Sequence, residues 1–154
     1  MNIFTFGLSN EAVAGSRGLK ILPDKSIHSV DINDLDALII PGGYPGYINL
    51  ANNASVIQLV KCMHSSSKYL ASICAGPIVL ENAGVLTGKR VTCYPGVETN
   101  LKSASVSKDR VLVDDKIVTS RGPGTALAFS LKLVELLFNE KKMKEVRGPL
   151  VIYT

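Results

Sequence analysis

The sequence predicts an α/β protein in which a largely parallel sheet is flanked by helices. The prediction rests on apolar runs without alternation, which are typical of strands covered on both faces, and on their alternation with helix-like segments along the chain. Ligands of such folds bind beyond the carboxyl ends of the strands. Residues that directly follow the apolar runs are therefore the first candidates for a functional site.

Two apolar runs predict strands inside the sheet. The run Ala37–Ile40 ends in the loop Pro41-Gly42-Gly43, and the run Tyr69–Ile73 ends at Cys74. Alternation and turn residues predict further extended segments elsewhere. These segments are residues 3–6 and 19–22, which are expected to form an early hairpin, residues 89–93, and a second hairpin over residues 111–119.

Helical spacing of apolar residues predicts two amphipathic helices, over residues 54–65 and 125–138. Between them, a short helix over residues 77–83 is expected to begin with Pro77 in its first turn and to end at Gly84. The predicted order alternates strand and helix through most of the chain.

Composition indicates a soluble protein with one domain, residues 1–154. The chain is 46% hydrophobic, which suffices for one well-buried core. No apolar run is long enough to cross a bilayer, and the first residues lack the basic flank and long apolar stretch of a leader. Three cysteines without a C-x-x-C pair fit neither a disulfide framework nor a zinc knuckle, so a reducing cytoplasm is the expected location.

The net charge of +4 is too modest to indicate a nucleic-acid partner. The densest basic run, residues 141–147, contains no interleaved aromatic side chain and is expected to be a solvated helix face. Neither a nucleic acid nor a membrane is an expected partner, and no metal or cofactor is expected.

Cys74 stands where a predicted strand turns abruptly into a predicted helix. Such a turn lifts its residue above the sheet, and the unpaired N–H groups of the helix start favour the thiolate, which is the nucleophilic form. Gly76 leaves room for the tight turn. The backbone N–H groups of the Pro41–Gly43 loop and of Ala75 are placed to bind a developing oxyanion.

The local sequence leaves two interpretations of Cys74 open, a reactive nucleophile and a small buried apolar residue. Cys62 and Cys93 lack this setting and are predicted to be ordinary core or surface residues. The two histidines, His28 and His64, lie in an early loop and in the helix before the cysteine. Both are predicted to be solvated or packed, and no histidine follows Cys74 to form a dyad.

Five blocks in order resemble the ThiJ/PfpI superfamily, in its DJ-1 branch. They extend over essentially the whole chain, which makes the resemblance more specific than any single block. The blocks are Gly15-Ser-Arg-Gly18, Leu38-Ile-Ile-Pro-Gly-Gly43, Ala71-Ser-Ile-Cys-Ala-Gly-Pro77, Thr119-Ser-Arg-Gly-Pro-Gly-Thr125 and Gly148-Pro-Leu-Val151.

The resemblance implies a flavodoxin-like sandwich, usually a homodimer in which the region around Gly15–Arg17 takes part. It implies that Cys74 is an oxidisable nucleophile and that Gly43 and Ala75 supply backbone N–H groups. Arg17, Arg121 and Pro123 lie in matched blocks and are expected to bind substrate. The arginines would favour an anionic ligand, although a structural role that ties loops together at the dimer interface remains open for each.

The sequence differs from the protease-like branch at one position and departs from its own branch in two ways. Ala75 stands where the protease-like branch has histidine, which argues against a peptidase. Tyr94 stands where many relatives place a histidine that faces the cysteine, and a phenol is a poor base at neutral pH. Relatives normally begin with a further strand and helix that carries a glutamate beside the cysteine, and no residue here takes that role by matching. Glu98, the nearest acid after Tyr94, is only a guess at a substitute.

The resemblance therefore implies a cysteine-dependent protein that acts on small reactive carbonyls or glycated groups, of the glyoxalase or deglycase type. The alternative is a non-catalytic redox sensor or chaperone that works through oxidation of Cys74 and through partner binding. The absence of an assigned glutamate leads us to expect weak catalysis.

Overall fold

The computed structural model of the protein describes residues 2–152. In that range the strands are β1 (Phe6–Gly7), β2 (Val13–Ala14), β3 (Lys20–Ile21), β4 (Lys25–Ser26), β5 (Ala37–Ile40), β6 (Tyr69–Ile73), β7 (Arg90–Thr92), β8 (Ser105–Ser107), β9 (Val111–Asp114) and β10 (Ile117–Ser120). The α-helices are α1 (Gly46–Ala51), α2 (Ala54–Ser65), α3 (Pro77–Asn82), α4 (Ala126–Leu137) and α5 (Glu140–Arg147).

The central sheet has the strand order β5-β6-β10-β9. The β5–β6 and β6–β10 pairs are parallel, whereas β9 and β10 form an antiparallel hairpin. The largely parallel sheet and the 111–119 hairpin are therefore confirmed. Because the parallel strands run in one direction, the loops after β5, β6 and β10 all lie at the same edge of the sheet.

Helices cover both faces of the central sheet. On one face α1, α2 and α3 enclose a large buried cluster that includes Leu70, Leu80 and Met63. On the other face α4 packs Phe129 and Leu133 against the sheet in a smaller cluster. The result is the predicted α/β sandwich, in which the sheet forms the middle layer.

The longer elements form where the sequence predicts them. Helix α2 spans the predicted residues 54–65, and the side chain of Asn53 caps it by accepting the N–H of Val56 at 3.1 Å. Helix α3 ends one residue earlier than predicted, and Gly84 follows with a φ of +74°. Helix α4 is confirmed to within one residue at each end, and α5 exposes the basic run to solvent.

The predicted early hairpin is wrong in its first arm. The turn at Gly15–Gly18 does join two antiparallel strands, but these are β2 and β3. Strand β1, at the end of the predicted first arm, instead pairs in parallel with β4. These strands have two residues each, too short to show an alternating pattern from which their partners could be inferred.

Besides β2 and β4, two further elements were not predicted. Helix α1 follows the loop after β5, where the glycines indicated only a loop, and β8 is a short, half-polar strand that pairs in parallel with β7. None of the helices within residues 2–152 combines the length and the apolar character needed to span a membrane.

Candidate active site

Cys74 directly follows β6, and α3 begins three residues later. Its φ is +65°, in the left-handed region that residues with a side chain seldom adopt. A residue held there costs on the order of 1–3 kcal/mol, so the surrounding contacts must impose it. The predicted strand-to-helix turn with strained backbone angles is confirmed.

Backbone hydrogen bonds fix this turn from two sides. The N–H of Cys74 donates to the carbonyl of Ser120, at the end of β10, at 3.0 Å. The carbonyl of Cys74 accepts the N–H of Tyr94, after β7, also at 3.0 Å. Cys74 is therefore tied to two neighbouring segments at the carboxyl edge of the sheet.

Two glycines are needed because backbone passes very close to the turn. A Cβ on Gly42 would lie 2.7 Å from Cβ of Cys74 and 2.8 Å from the nitrogen of Ala75. A Cβ on Gly76 would lie 2.6 Å from the carbonyl oxygen of Ile40. Both contacts are shorter than real Cβ atoms tolerate, so only glycine lets the Pro41–Gly43 loop reach Cys74.

The predicted oxyanion donors lie beside the cysteine with their N–H groups unused. Among the described residues, neither the N–H of Ala75 nor that of Gly43 donates a hydrogen bond. Gly43 has a φ of +94°, and the preceding Gly42 packs against the nitrogen of Ala75. Two free donors beside one sulfur can stabilise negative charge on an oxygen bound at that sulfur.

Tyr94 is joined to the turn through its backbone. Its N–H binds Cys74, while its half-exposed ring packs on Gly122, where an added Cβ would lie 3.1 Å from Cδ2 of the ring. Within residues 2–152 the Tyr94 hydroxyl forms no hydrogen bond. Tyr94 therefore lies at the site, but its hydroxyl is not hydrogen-bonded to the Cys74 thiol.

A small electrostatic network lies next to the turn. Burial raises the pKa of the Cys93 thiol to about 11. The negative charge of Glu98 raises this pKa further, and Cys74 makes a smaller contribution in the same direction. The positive charge of the Arg121 guanidinium opposes the rise. Hydrogen bonds from its own N–H and from the N–H of Gly96 lower the pKa of Glu98, and Arg121 contributes to that lowering. The charges of Glu98 and Arg121 therefore act on the thiol of Cys93.

Arg121 carries a polar atom without a protein partner. Its Nη1 is buried and forms no hydrogen bond within the described chain. Because a buried guanidinium N–H that lacks an acceptor is costly, this atom is suited to receive an oxygen from a bound molecule. Arg121 follows β10 directly, so it lies at the same edge of the sheet as Cys74.

Other candidates form no hydrogen bond with this group among the described residues. Arg17 is exposed in the β2–β3 turn, and no hydrogen bond or ion pair of the described residues links it to Cys74. Pro123 is exposed in the turn after Gly122. His64 lies near the end of α2, and His28 is exposed in a short 3-10 turn.

The structure also corrects the relation of the cysteines to one another. Cys93 is fully buried, as predicted, but it directly precedes Tyr94 and therefore lies beside Cys74. Ser120, whose carbonyl fixes Cys74, was not predicted either. Its position as the last residue of an apolar strand was the available signal. No group of three or more potential metal ligands occurs in the part of the chain that is described.

The geometry agrees with a comparison of the whole chain. The profile of the DJ-1/PfpI family matches residues 1–136. The chain belongs to the DJ-1/PfpI family. The family assignment made from the five sequence blocks is confirmed, and the flavodoxin-like α/β fold that it implied is shared with solved DJ-1 structures.

Three relatives illustrate the similarity within the DJ-1/PfpI family. Protein dj-1beta of Drosophila melanogaster is 39% identical over 146 residues, 93% of this chain and 78% of the relative. Its crystal structure has a TM-score of 0.87 at 40% identity and covers 94% of this chain and 79% of that one. The glutathione-independent glyoxalase DJR-1.2 of Caenorhabditis elegans is 35% identical over 154 residues, 99% of this chain and 82% of the relative. A deglycase of Pyrococcus abyssi is 38% identical over 128 residues, 81% of this chain and 76% of the relative.

Replacement of Gly76 by alanine is expected to disturb the turn. The added methyl would press on the carbonyl of Ile40, so we expect Gly76→Ala to lower the free energy of unfolding by about 1–3 kcal/mol. Gly46→Ala is the matched control, because nothing lies within 4 Å of its new Cβ, and it should change stability by no more than about 1 kcal/mol. Denaturant unfolding measures both, and equal effects would contradict the close-approach argument.

The three thiols are expected to react in a fixed order. Cys74 should be alkylated by iodoacetamide first at neutral pH, whereas Cys93 is buried and, with a pKa of about 11, remains a thiol. Labelling of Cys93 in the folded protein should rise only as the pH approaches that value. Peptide mapping after brief labelling measures the order, and first labelling at Cys62 or Cys93 would contradict it.

Proposed function

We propose that this DJ-1/PfpI protein uses Cys74 to attack small reactive carbonyls of the methylglyoxal type, or the early adducts that they form on proteins. The observation that carries the proposal is the partly exposed Cys74 at a strained turn, with the unused N–H groups of Ala75 and Gly43 beside it. This combination supplies a nucleophile and an oxyanion site in one place.

The first step is addition of the Cys74 thiolate to the aldehyde carbon. A C–S bond forms, the C=O π electrons move to oxygen, and the two N–H groups stabilise the resulting negative charge. The hemithioacetal then needs a proton to move from the former aldehyde carbon to the neighbouring carbon, which gives a thioester. Hydrolysis of that thioester releases lactate and restores the thiol.

The relatives support this substrate class. One relative is named a glutathione-independent glyoxalase and another a deglycase, and both share more than a third of their aligned residues with this chain. The unpaired Nη1 of Arg121 is consistent with a product that carries a carboxylate, because guanidinium donates to carboxylate oxygens.

The proton transfer has no assigned donor in this site. The lowered pKa of Glu98 keeps its carboxylate ionised at neutral pH, and this carboxylate already accepts the N–H of Gly96 at 2.6 Å. Glu98 can therefore accept a proton, but no hydrogen bond of the described residues places it on Cys74. A positioned proton-transfer group typically contributes about 10²–10⁴-fold, so we expect slow turnover by this chain.

Removal of the sulfur tests the proposal. Cys74→Ser should abolish methylglyoxal consumption, since serine lacks an activated nucleophile at this position. Cys62→Ser is the matched control and should retain the full rate, because Cys62 lies in α2 and has no part in the mechanism. Methylglyoxal loss and lactate formation are followed together. An unchanged rate in Cys74→Ser would refute the enzymatic proposal and favour the redox-sensor alternative.

We further propose that the β2–β3 hairpin contributes to a homodimer. Its exposed apolar side chains include Val13, Leu19 and Ile21, of which Leu19 is 69% exposed. Leu19→Asp should shift the protein toward monomer in sedimentation velocity at micromolar concentration. Val113→Asp, at another exposed apolar position, should not. A monomeric unmodified protein would contradict the proposal.

A further inference from the structure

We propose that Cys93 is a resolving thiol, which closes a reversible disulfide with Cys74 after peroxide has oxidised Cys74. The inference uses the same reactive Cys74 as the proposed function but requires no carbonyl chemistry. It would make the site a two-cysteine redox device, in which oxidation stops at a disulfide instead of continuing to the sulfinate.

The backbone places the two cysteines within reach of each other. The N–H of Tyr94 donates to the carbonyl of Cys74 at 3.0 Å, and Cys93 is the residue directly before that N–H. Standard bond lengths then limit the Cα separation of Cys74 and Cys93 to about 8 Å. Disulfides span Cα separations of about 4.4–6.8 Å, so this upper limit lies close to the range in which one forms.

The side chain of Cys93 lies in the core beneath the turn. It belongs to the buried cluster that contains Ile40, Leu70 and Val79, from the elements that flank Cys74 on either side. Cys74 also makes a small contribution to the raised pKa of Cys93, which agrees with this proximity.

Differences in exposure and in pKa suit Cys74 to react with peroxide and Cys93 to act as the resolving thiol. Cys74 is partly exposed, so a peroxide can reach its sulfur, whereas Cys93 has no exposed surface. The raised pKa of Cys93 keeps it protonated and protects it from external oxidants. The thiolate fraction of Cys93 is small, but a thiol of the same chain held near its target reacts as if at very high concentration, which compensates for that fraction.

The chemistry balances with hydrogen peroxide as the only added oxidant. The Cys74 thiolate attacks one peroxide oxygen, the O–O bond breaks, and sulfenic acid and hydroxide form, so sulfur loses two electrons and peroxide gains them. The Cys93 sulfur then attacks the Cys74 sulfur and the S–O bond breaks. The departing hydroxide takes the Cys93 proton and leaves as water.

The third cysteine cannot take the resolving role within the chain. Cys62 lies near the end of α2, and its carbonyl accepts the N–H of Ser66, just before β6 begins. Cys74 lies at the other end of β6, and five residues of strand span roughly 16 Å. That distance is more than twice the span of a disulfide.

The test treats the reduced full chain with stoichiometric hydrogen peroxide, blocks remaining thiols with N-ethylmaleimide, and measures intact mass and peptides without reductant. We expect the loss of two hydrogens, a cross-linked peptide pair that contains Cys74 and Cys93, and an alkylated Cys62. In a parallel sample, dithiothreitol added after the peroxide and before the N-ethylmaleimide should restore all three thiols. Addition of two oxygens at Cys74 with a free Cys93 would overturn the inference, as would a cross-link between two chains.

Variants separate the resolving role from a structural one. Cys93→Ala should react with peroxide at Cys74 as fast as the unmodified protein but accumulate sulfinate, with loss of nearly all the dithiothreitol-reversible product. Cys62→Ala, the matched control, should form the disulfide normally. Cys93→Val, which keeps the buried site filled, should reproduce the alanine result if alanine impairs folding. Reversible oxidation that persists in the Cys93 variants would overturn the proposal.

The result is separable from the proposed function. If Cys74 is alkylated first and Cys74→Ser abolishes methylglyoxal consumption, but peroxide yields only sulfinate, the disulfide inference alone fails. If the disulfide forms and methylglyoxal consumption does not depend on Cys74, the carbonyl chemistry alone fails.

Discussion

The positive φ of Cys74 is the constraint on which the site depends. A left-handed conformation at a residue with a side chain costs on the order of 1–3 kcal/mol, and the chain supports it with backbone hydrogen bonds to Ser120 and from Tyr94. Those two hydrogen bonds also determine which residues lie near Cys74. Arg121 directly follows Ser120, and Cys93 directly precedes Tyr94, so both lie next to residues that are bonded to Cys74.

The tight turn at Cys74 also requires glycine at two neighbouring positions. Because β6 turns sharply into α3, the ends of β5 and β6 approach so closely that Gly42 and Gly76 have no room for a Cβ. Among the described residues, the N–H groups of Ala75 and Gly43, which border this close approach, donate no hydrogen bond. The proposed oxyanion site would thus be built from the backbone of the tight turn.

The sequence predicted the parts of this structure that carry a local signal. Strands β5 and β6 are continuous apolar runs, and Cys74 follows one of them, so the sheet and its turn could be inferred from spacing alone. The two-residue strands β1 to β4 carry no such periodicity, and the pairing of β1 with β4 is decided by tertiary contacts. The proximity of Cys93 to Cys74 is likewise tertiary, since 19 positions separate them and one backbone hydrogen bond brings them together.

The three cysteines show how position in one fold sets the chemistry of identical side chains. Cys62 lies near the end of α2, the helix that leads into the amino end of β6. Cys93 lies within the core, and burial keeps its thiol protonated. Only Cys74 combines access to solvent with donors that can stabilise charge on a bound oxygen. That oxygen can belong to a hemithioacetal or to an oxidised sulfur. In both cases the N–H groups would stabilise the negative charge on the oxygen, whether the oxygen is bonded to carbon or to sulfur. The proposed carbonyl and redox chemistries would therefore draw on the same arrangement of backbone, and Cys93 would contribute to the second without taking part in the first.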